Sequence, residues 1–106
     1  MTAHEKCHKG LLHDANYNEE LLEERAVCKD LCYEYNFLKP SMTEKRNEII
    51  RNLFGRTRKN FLIEQPFYCD YGYNIEIGEN FYMNINCVIL DGARITFGDN
   101  VFIAPN

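Results

Sequence analysis

Ile75-Glu-Ile77-Gly78-Glu79-Asn80-Phe81-Tyr82-Met83-Asn84 returns as Ile95-Thr-Phe97-Gly98-Asp99-Asn100-Val101-Phe102-Ile103-Ala104, at an offset of 20 residues. Apolar positions match apolar ones, Gly matches Gly, acid matches acid and Asn matches Asn. A fixed period with an aliphatic core position followed by Gly, acid and Asn reads as stacked coils of a parallel β-helix. Gly78 and Gly98 suit corners where φ can be positive and backbone must pass close to backbone, and Asn80 and Asn100 tolerate the left-handed region. Between the copies, Cys87, Val88, Ile89 and Leu90 form a β-favouring apolar run that predicts a short buried strand.

Working outward, the 106 residues bound the chain to one domain, small enough that only about two-thirds of its unfolded surface is buried on folding. The formal net charge of −4 gives no general attraction for a phosphate backbone, so nucleic acid is not an expected partner. No apolar stretch approaches the roughly 18 residues of a membrane span, and the first residues lack the apolar centre of a secretory signal, so no membrane partner is expected and the cytoplasm is the default compartment. Five cysteines, odd in number and scattered, do not describe a disulfide framework. Cys28 and Cys32 are four apart and share a helix face, which suits two metal ligands or, more simply, core packing, because no second pair follows at finger-like spacing.

The amino-terminal half reads as helical. A short helix ending at Gly10 carries His4 and His8 at i and i+4 with Cys7 beside them; a metal site is conceivable there, but no further ligand completes a set and a terminal segment frays. Asn18 before Glu19, Glu20, Glu23 and Glu24, with Leu21, Leu22, Cys28, Leu31, Cys32 and Tyr35 along one side, predicts a helix over 19–36 that ends before Pro40. Ser41-Met-Thr-Glu44 is a capping box, and Met42, Ile49, Ile50, Leu53 and Phe54 predict a second helix that stops at Gly55. Arg56, Arg58 and Lys59 then form a basic linker, a solvated face or a contact for a phosphate-bearing ligand. Phe61, Leu62 and Ile63 open the β region. Asp70 lies among rings in Phe67-Tyr68-Cys69-Asp70-Tyr71-Gly72, as a sugar site needs and as a coil corner can show by chance.

Several of these segments together carry a resemblance. Tyr33-Glu34-Tyr35-Asn36, the Pro40-Ser41 junction leading to Glu44-Lys45-Arg46, the run from Asp70 to Tyr82 followed by Asn84, and Ile103-Ala104-Pro105-Asn106 resemble the maltose and galactoside O-acetyltransferases, which are hexapeptide-repeat acyltransferases. The resemblance covers essentially the whole chain in the family's order. It implies a mainly β fold, a left-handed parallel β-helix with an α-helical cap, the cap spanning 1–60 and an incomplete β-helix of about two coils spanning 61–106. It also implies a homotrimer that transfers acetyl from acetyl-CoA to a sugar hydroxyl in a site between subunits, with no metal.

Residue by residue, the resemblance assigns Asp14 and Asp70 to the sugar acceptor, Asn84 to the acetyl group and its transition state, Tyr82 to the pocket wall and Arg25 to the acceptor's vicinity. An amide N–H held against a developing oxyanion suits acyl transfer. Asp70, and Gly92 in place of an acid, lean towards the maltose-type pattern. The family's general base is a histidine in a Gly-His-Pro context after Ala-Pro-Asn, and this chain holds no histidine after His13. The expectation is therefore an amino-terminal part of an acetyltransferase that is inactive alone; a sugar-binding or trimerising scaffold, or a related acyltransferase with another acceptor, are the alternatives.

Overall fold

Two helices lead into seven short strands in the computed structural model, which describes residues 19–104. Helix α1 spans Glu19–Asn36, and the acids of its first turn face the positive end of the helix dipole. It buries Leu21, Cys28, Cys32 and Tyr35, whereas Leu22 stays exposed. Helix α2 spans Thr43–Leu53 and buries Ile49, Ile50 and Leu53 beneath the stripe expected of it. The predicted capping box does not form: Met42 is the residue preceding the helix, no side chain caps it, and Met42 itself is exposed. The helix starts one residue too late for Ser41 to reach an orphan N–H. The expected Asn18 cap and the short first helix lie outside the described residues.

The strands are β1 (Phe61–Ile63), β2 (Phe67–Cys69), β3 (Ile75–Glu76), β4 (Phe81–Met83), β5 (Cys87–Ile89), β6 (Ile95–Thr96) and β7 (Phe102–Ile103). They form three parallel sheets in the orders β1-β4-β7, β2-β5 and β3-β6. Phe61 pairs with Phe81, Phe67 with Cys87, Ile75 with Ile95 and Tyr82 with Phe102. Every ladder therefore has the 20-residue offset of the sequence repeat, so the chain winds and meets itself one coil later. With two or three residues per strand the corners take much of each coil, and helices of 18 and 11 residues hold more of the described chain than the strands. The expectation of a mainly β composition is corrected to that extent.

Alternation along each strand fills the coil. Ile63, Phe67, Ile75, Phe81 and Met83 point inward and are essentially inaccessible, and Cys69, Cys87 and Ile89 join them. Each large inward side chain contributes about 1.5–3 kcal/mol by leaving water. Leu62, Tyr82 and Phe102 align outward across the first sheet, and Tyr68 and Val88 across the second. Tyr82 and Phe102 stack with ring centroids 4.9 Å apart and planes 13° from parallel.

The corners explain the Gly-acid-Asn motif. Asn80 and Asn100 have φ of 55° and 59°, and Asn80 Nδ2 donates to Asn100 Oδ1 at 3.0 Å. Asn86, which the repeat did not single out, has φ of 61°. Gly78 and Gly98 do not have positive φ; Gly78 is needed for close approach, because a Cβ there would lie 2.5 Å from Gly98 O. The acid ties one coil to the next: Asn60 N–H donates to Glu79 Oε1 at 2.6 Å, and Glu79 N–H donates to Asp99 Oδ1 at 2.7 Å.

The helices seal one side of this coil. Asn36 at the end of α1 pairs with Phe67 in both directions, donating from Nδ2 to Phe67 O at 3.0 Å and accepting Phe67 N–H on Oδ1 at 2.8 Å. Gln65 Nε2 donates to the carbonyls of Tyr35 and Leu38, satisfying the frayed end of α1. Tyr35 O–H donates to Ile63 O, which Arg46 Nη2 also reaches at 3.0 Å, and Arg46 Nη1 donates to Pro40 O. The peptide between Gln65 and Pro66 is cis.

Candidate functional site

The loop after β2 carries Asp70, and its shape is set by a residue one coil later. Asp91 is fully buried, with no exposed surface. Its Oδ1 accepts the backbone N–H groups of Asp70 and Tyr71 at 3.0 and 2.9 Å, and its Oδ2 accepts that of Gly72 at 2.7 Å. Asn74 Nδ2 closes the arrangement by donating to Asp91 O at 2.8 Å. Burial pushes the Asp91 carboxyl above its usual range, and the three N–H donors pull it partly back. Gly72, at φ +87°, completes the turn: a Cβ would lie 2.4 Å from Leu53 Cδ1. Asp70 itself is part-buried and left on the rim of this loop.

Next to the loop, Tyr71 and Tyr73 face each other with ring centroids 5.5 Å apart and pack against Leu21 of α1. Tyr73 O–H donates to Glu24 Oε2 at 3.3 Å, and burial, then the charge of Glu24, raises the Tyr73 phenol above its usual range. These rings, with Glu23, Glu24, Val27, Cys28, Leu31, Asn52 and Leu53, line a cleft of about 320 Å³. Rings and carboxylates lining one cleft suit a polyol, the apolar faces covering C–H groups and the carboxylates accepting from hydroxyls.

Asn84 directly follows β4, and its backbone N–H donates to Ile103 O at 2.9 Å, so the next coil holds it. Its side-chain Oδ1 accepts Ile85 N–H at 2.8 Å, which fixes the amide and directs Nδ2 as the group available to donate. Tyr82, two residues earlier, shares the outward face and is fixed by its stacking on Phe102. Tyr82 and Asn84 therefore lie on the same outward side of the coil. The β2-β5 sheet separates the corner of Asn84 from the corner of Asp70, and within one chain neither touches the other. Arg25 lies part-buried on α1 and does not line the cleft formed by Tyr71 and Tyr73. Asp14 lies outside the described residues.

Sequence reasoning missed two features. Asp91 sits in Leu90-Asp91-Gly92, where nothing in the local pattern distinguishes a buried anchor from a turn acid; only its three long-range hydrogen bonds do. Cys28 and Cys32 are buried as core residues, but Cys69 from β2 joins them, with all three Sγ atoms within 4.8 Å of one another. Cys28 Sγ lies 3.4 Å from Cys69 Sγ. The Cys28 contact, and after it that of Cys69, pulls the Cys32 thiol below its usual range, and the contact with Cys32 pushes Cys28 above it.

Two helices packed on a coil of short parallel strands with a constant 20-residue register define a repeat-built fold with a helical cap. The model of the maltose acetyltransferase hexapeptide capping motif matches residues 6–58, and the chain belongs to that family. The structure is similar to that of a maltose O-acetyltransferase from Clostridium difficile 630, with a TM-score of 0.96 and 46% identity over 100% of this chain and 56% of that one. It is also similar to a galactoside acetyltransferase solved in complex with coenzyme A, with a TM-score of 0.91 and 43% identity over 100% of this chain and 52% of that one. The galactoside O-acetyltransferase of Escherichia coli is 48% identical over 83% of this chain and 43% of its own length. The chain spans about half the length of the curated relatives it matches. Among the described residues, no helix is long and apolar enough to cross a membrane.

Proposed function

We propose that this chain supplies the acceptor side and first coils of a sugar O-acetyltransferase that moves acetyl from acetyl-CoA to a hydroxyl of maltose, glucose or a galactoside. The observation that carries the reading is the outward side shared by Tyr82 and Asn84, where Oδ1 is occupied by Ile85 N–H and Nδ2 is left to donate. Such a donor, aimed at the thioester oxygen, lowers the barrier by a few kcal/mol. Asp70 and Asp14 bind the acceptor, Tyr82 walls the pocket, and Arg25 lies near the acceptor. Residues 1–60 are the acceptor-side cap and 61–106 the start of the β-helix, wound left-handed in about two coils. Because Asp70 and Asn84 lie on different corners, an active site that uses both draws on neighbouring copies, which is the arrangement of a homotrimer. Compartment follows the same reading and is cytoplasmic.

The base that takes the proton of the acceptor hydroxyl contributes typically 10²–10⁴-fold, and no histidine occurs after His13. The 106-residue chain alone is therefore expected to bind without turnover. A second reading, a sugar-binding or trimerising scaffold, rests on the cleft lined by Tyr71, Tyr73, Glu23 and Glu24. The two are separated by joining these 106 residues to the carboxy-terminal half of the Clostridium difficile maltose O-acetyltransferase and assaying acetyl-CoA consumption with maltose. Turnover that falls roughly 10²–10³-fold on Asn84→Ala supports the transferase reading. A folded chimera with no turnover, or turnover indifferent to Asn84, favours the scaffold.

A further inference from the structure

We propose that Cys28, Cys32 and Cys69 form a binding site for one soft, low-coordinate cation of the copper(I) class, held by three sulfurs between α1 and β2. Two ligands lie one helical turn apart on α1 and the third enters at the end of β2, so the set comes from two elements that the fold packs together. With metal–sulfur bonds of about 2.3 Å, the sulfurs of a planar three-ligand site stand about 4 Å apart. The Cys28 and Cys69 sulfurs stand 3.4 Å apart and the whole set lies within 4.8 Å, which brackets that spacing.

The donor set selects the ion. All three ligands are thiols, the class that soft ions such as copper(I) prefer over imidazole or carboxylate sites. Structural zinc takes four ligands, and among the described residues the group has three members, with no histidine or carboxylate in it. Access comes from the cleft of about 320 Å³, which Cys28 lines together with Glu23 and Glu24. Carboxylates at the mouth raise the local concentration of cations. Binding involves no redox change: the cation displaces thiol protons to solvent as Cu–S bonds form, so affinity rises with pH. The expectation of a metal-free chain weighed Cys28 and Cys32 as a pair, and the third thiol is visible only in the fold. This site stands apart from the transfer reaction and does not depend on it.

The test is an anaerobic titration of the reduced 106-residue chain with copper(I) against a chromophoric copper(I) chelator. One equivalent should be withheld from the chelator, with thiolate-to-copper absorption in the ultraviolet and three sulfur neighbours in X-ray absorption. In the loaded chain, thiol alkylation should spare Cys28, Cys32 and Cys69, and stripping the copper(I) from the chain under denaturing conditions should restore their labelling. Cys28→Ser, Cys32→Ser and Cys69→Ser should each weaken retention at least tenfold, and Cys87→Ser, outside the group, should not. Failure of the wild-type chain to withhold copper(I) overturns the proposal without recourse to any variant. So does copper(I) retention that survives in Cys69→Ser, or a parallel titration in which zinc(II) is withheld at one equivalent and copper(I) is not.

Discussion

Asn36 and Phe67 exchange two hydrogen bonds, the side-chain amide of one taking the place of a neighbouring strand for the other. This is how a helix end is joined to a coil that offers it no strand. Asn36→Ala leaves both backbone groups of Phe67 without partners in a part-buried setting, at a cost of about 1–3 kcal/mol. Asn36→Asp keeps the acceptor for Phe67 N–H and turns the donor into a second oxygen facing Phe67 O, so it should be no better than Ala. Urea midpoints of the two variants check this, and Asn36→Asp at wild-type stability would contradict it.

Asp91 gives a prediction about acid. Because burial raises its carboxyl, the folded chain holds the proton more tightly than the unfolded chain, whose value is near 3.8. The contribution of Asp91 to stability is then fully present below that value and diminishes as pH rises through the raised folded one. Asp91→Asn cannot titrate and loses the acceptor for Gly72 N–H, so it is less stable at neutral pH by about 1–3 kcal/mol. The gap between wild type and Asp91→Asn should widen as pH is lowered towards 4. Denaturation midpoints across the acid range read this directly, and a narrowing gap would mean that the three N–H donors outweigh burial.

Gly78 and Gly98 occupy the same place in the repeat and should respond differently to Ala. A Cβ on Gly78 would lie 2.5 Å from Gly98 O, while one on Gly98 meets nothing within 4 Å. Gly78→Ala should cost at least about 1–3 kcal/mol, within the range of overpacked sites, and Gly98→Ala should stay within about 0.5 kcal/mol of wild type. Thermal melts of the pair decide it. Equal losses would place the cause in the corner conformation and not in the contact.

Asn84 is expected to separate chemistry from folding. Its Oδ1 accepts only the N–H of the next residue, so Asn84→Ala should lower stability by no more than about 1 kcal/mol. If Asn84 stabilises the transition state as proposed, then in the chimeric enzyme described above the loss should fall on kcat, with KM for maltose little changed.

The 20-residue offset, the bounds of α1 and the left-handed asparagines at 80 and 100 were legible because each is a local or periodic signal. The capping box was legible but misleading: Ser41 and Glu44 have the right spacing, yet the helix begins at Thr43. The conformation at Gly78 and Gly98 was half legible, since close approach and positive φ leave the same residue type behind. Asp91 and the meeting of Cys69 with Cys28 and Cys32 were not legible, because contacts between residues 19–41 apart leave no spacing pattern in one sequence. Asp14 carried its assignment by resemblance alone and keeps that status.

The constant register of the ladders also acts as a ruler. Removing a single residue just before β4, if the strand then slips by one in register, would turn Phe81 and Met83 outward and carry Tyr82 into the core, since side chains alternate with a period of two. Duplicating one whole 20-residue unit would instead lengthen the prism by one step of about 4.8 Å and leave every existing pairing in place. Changes of length in this chain are therefore tolerated in whole coils or at corners, and a family built this way can vary its height without redesigning its cap.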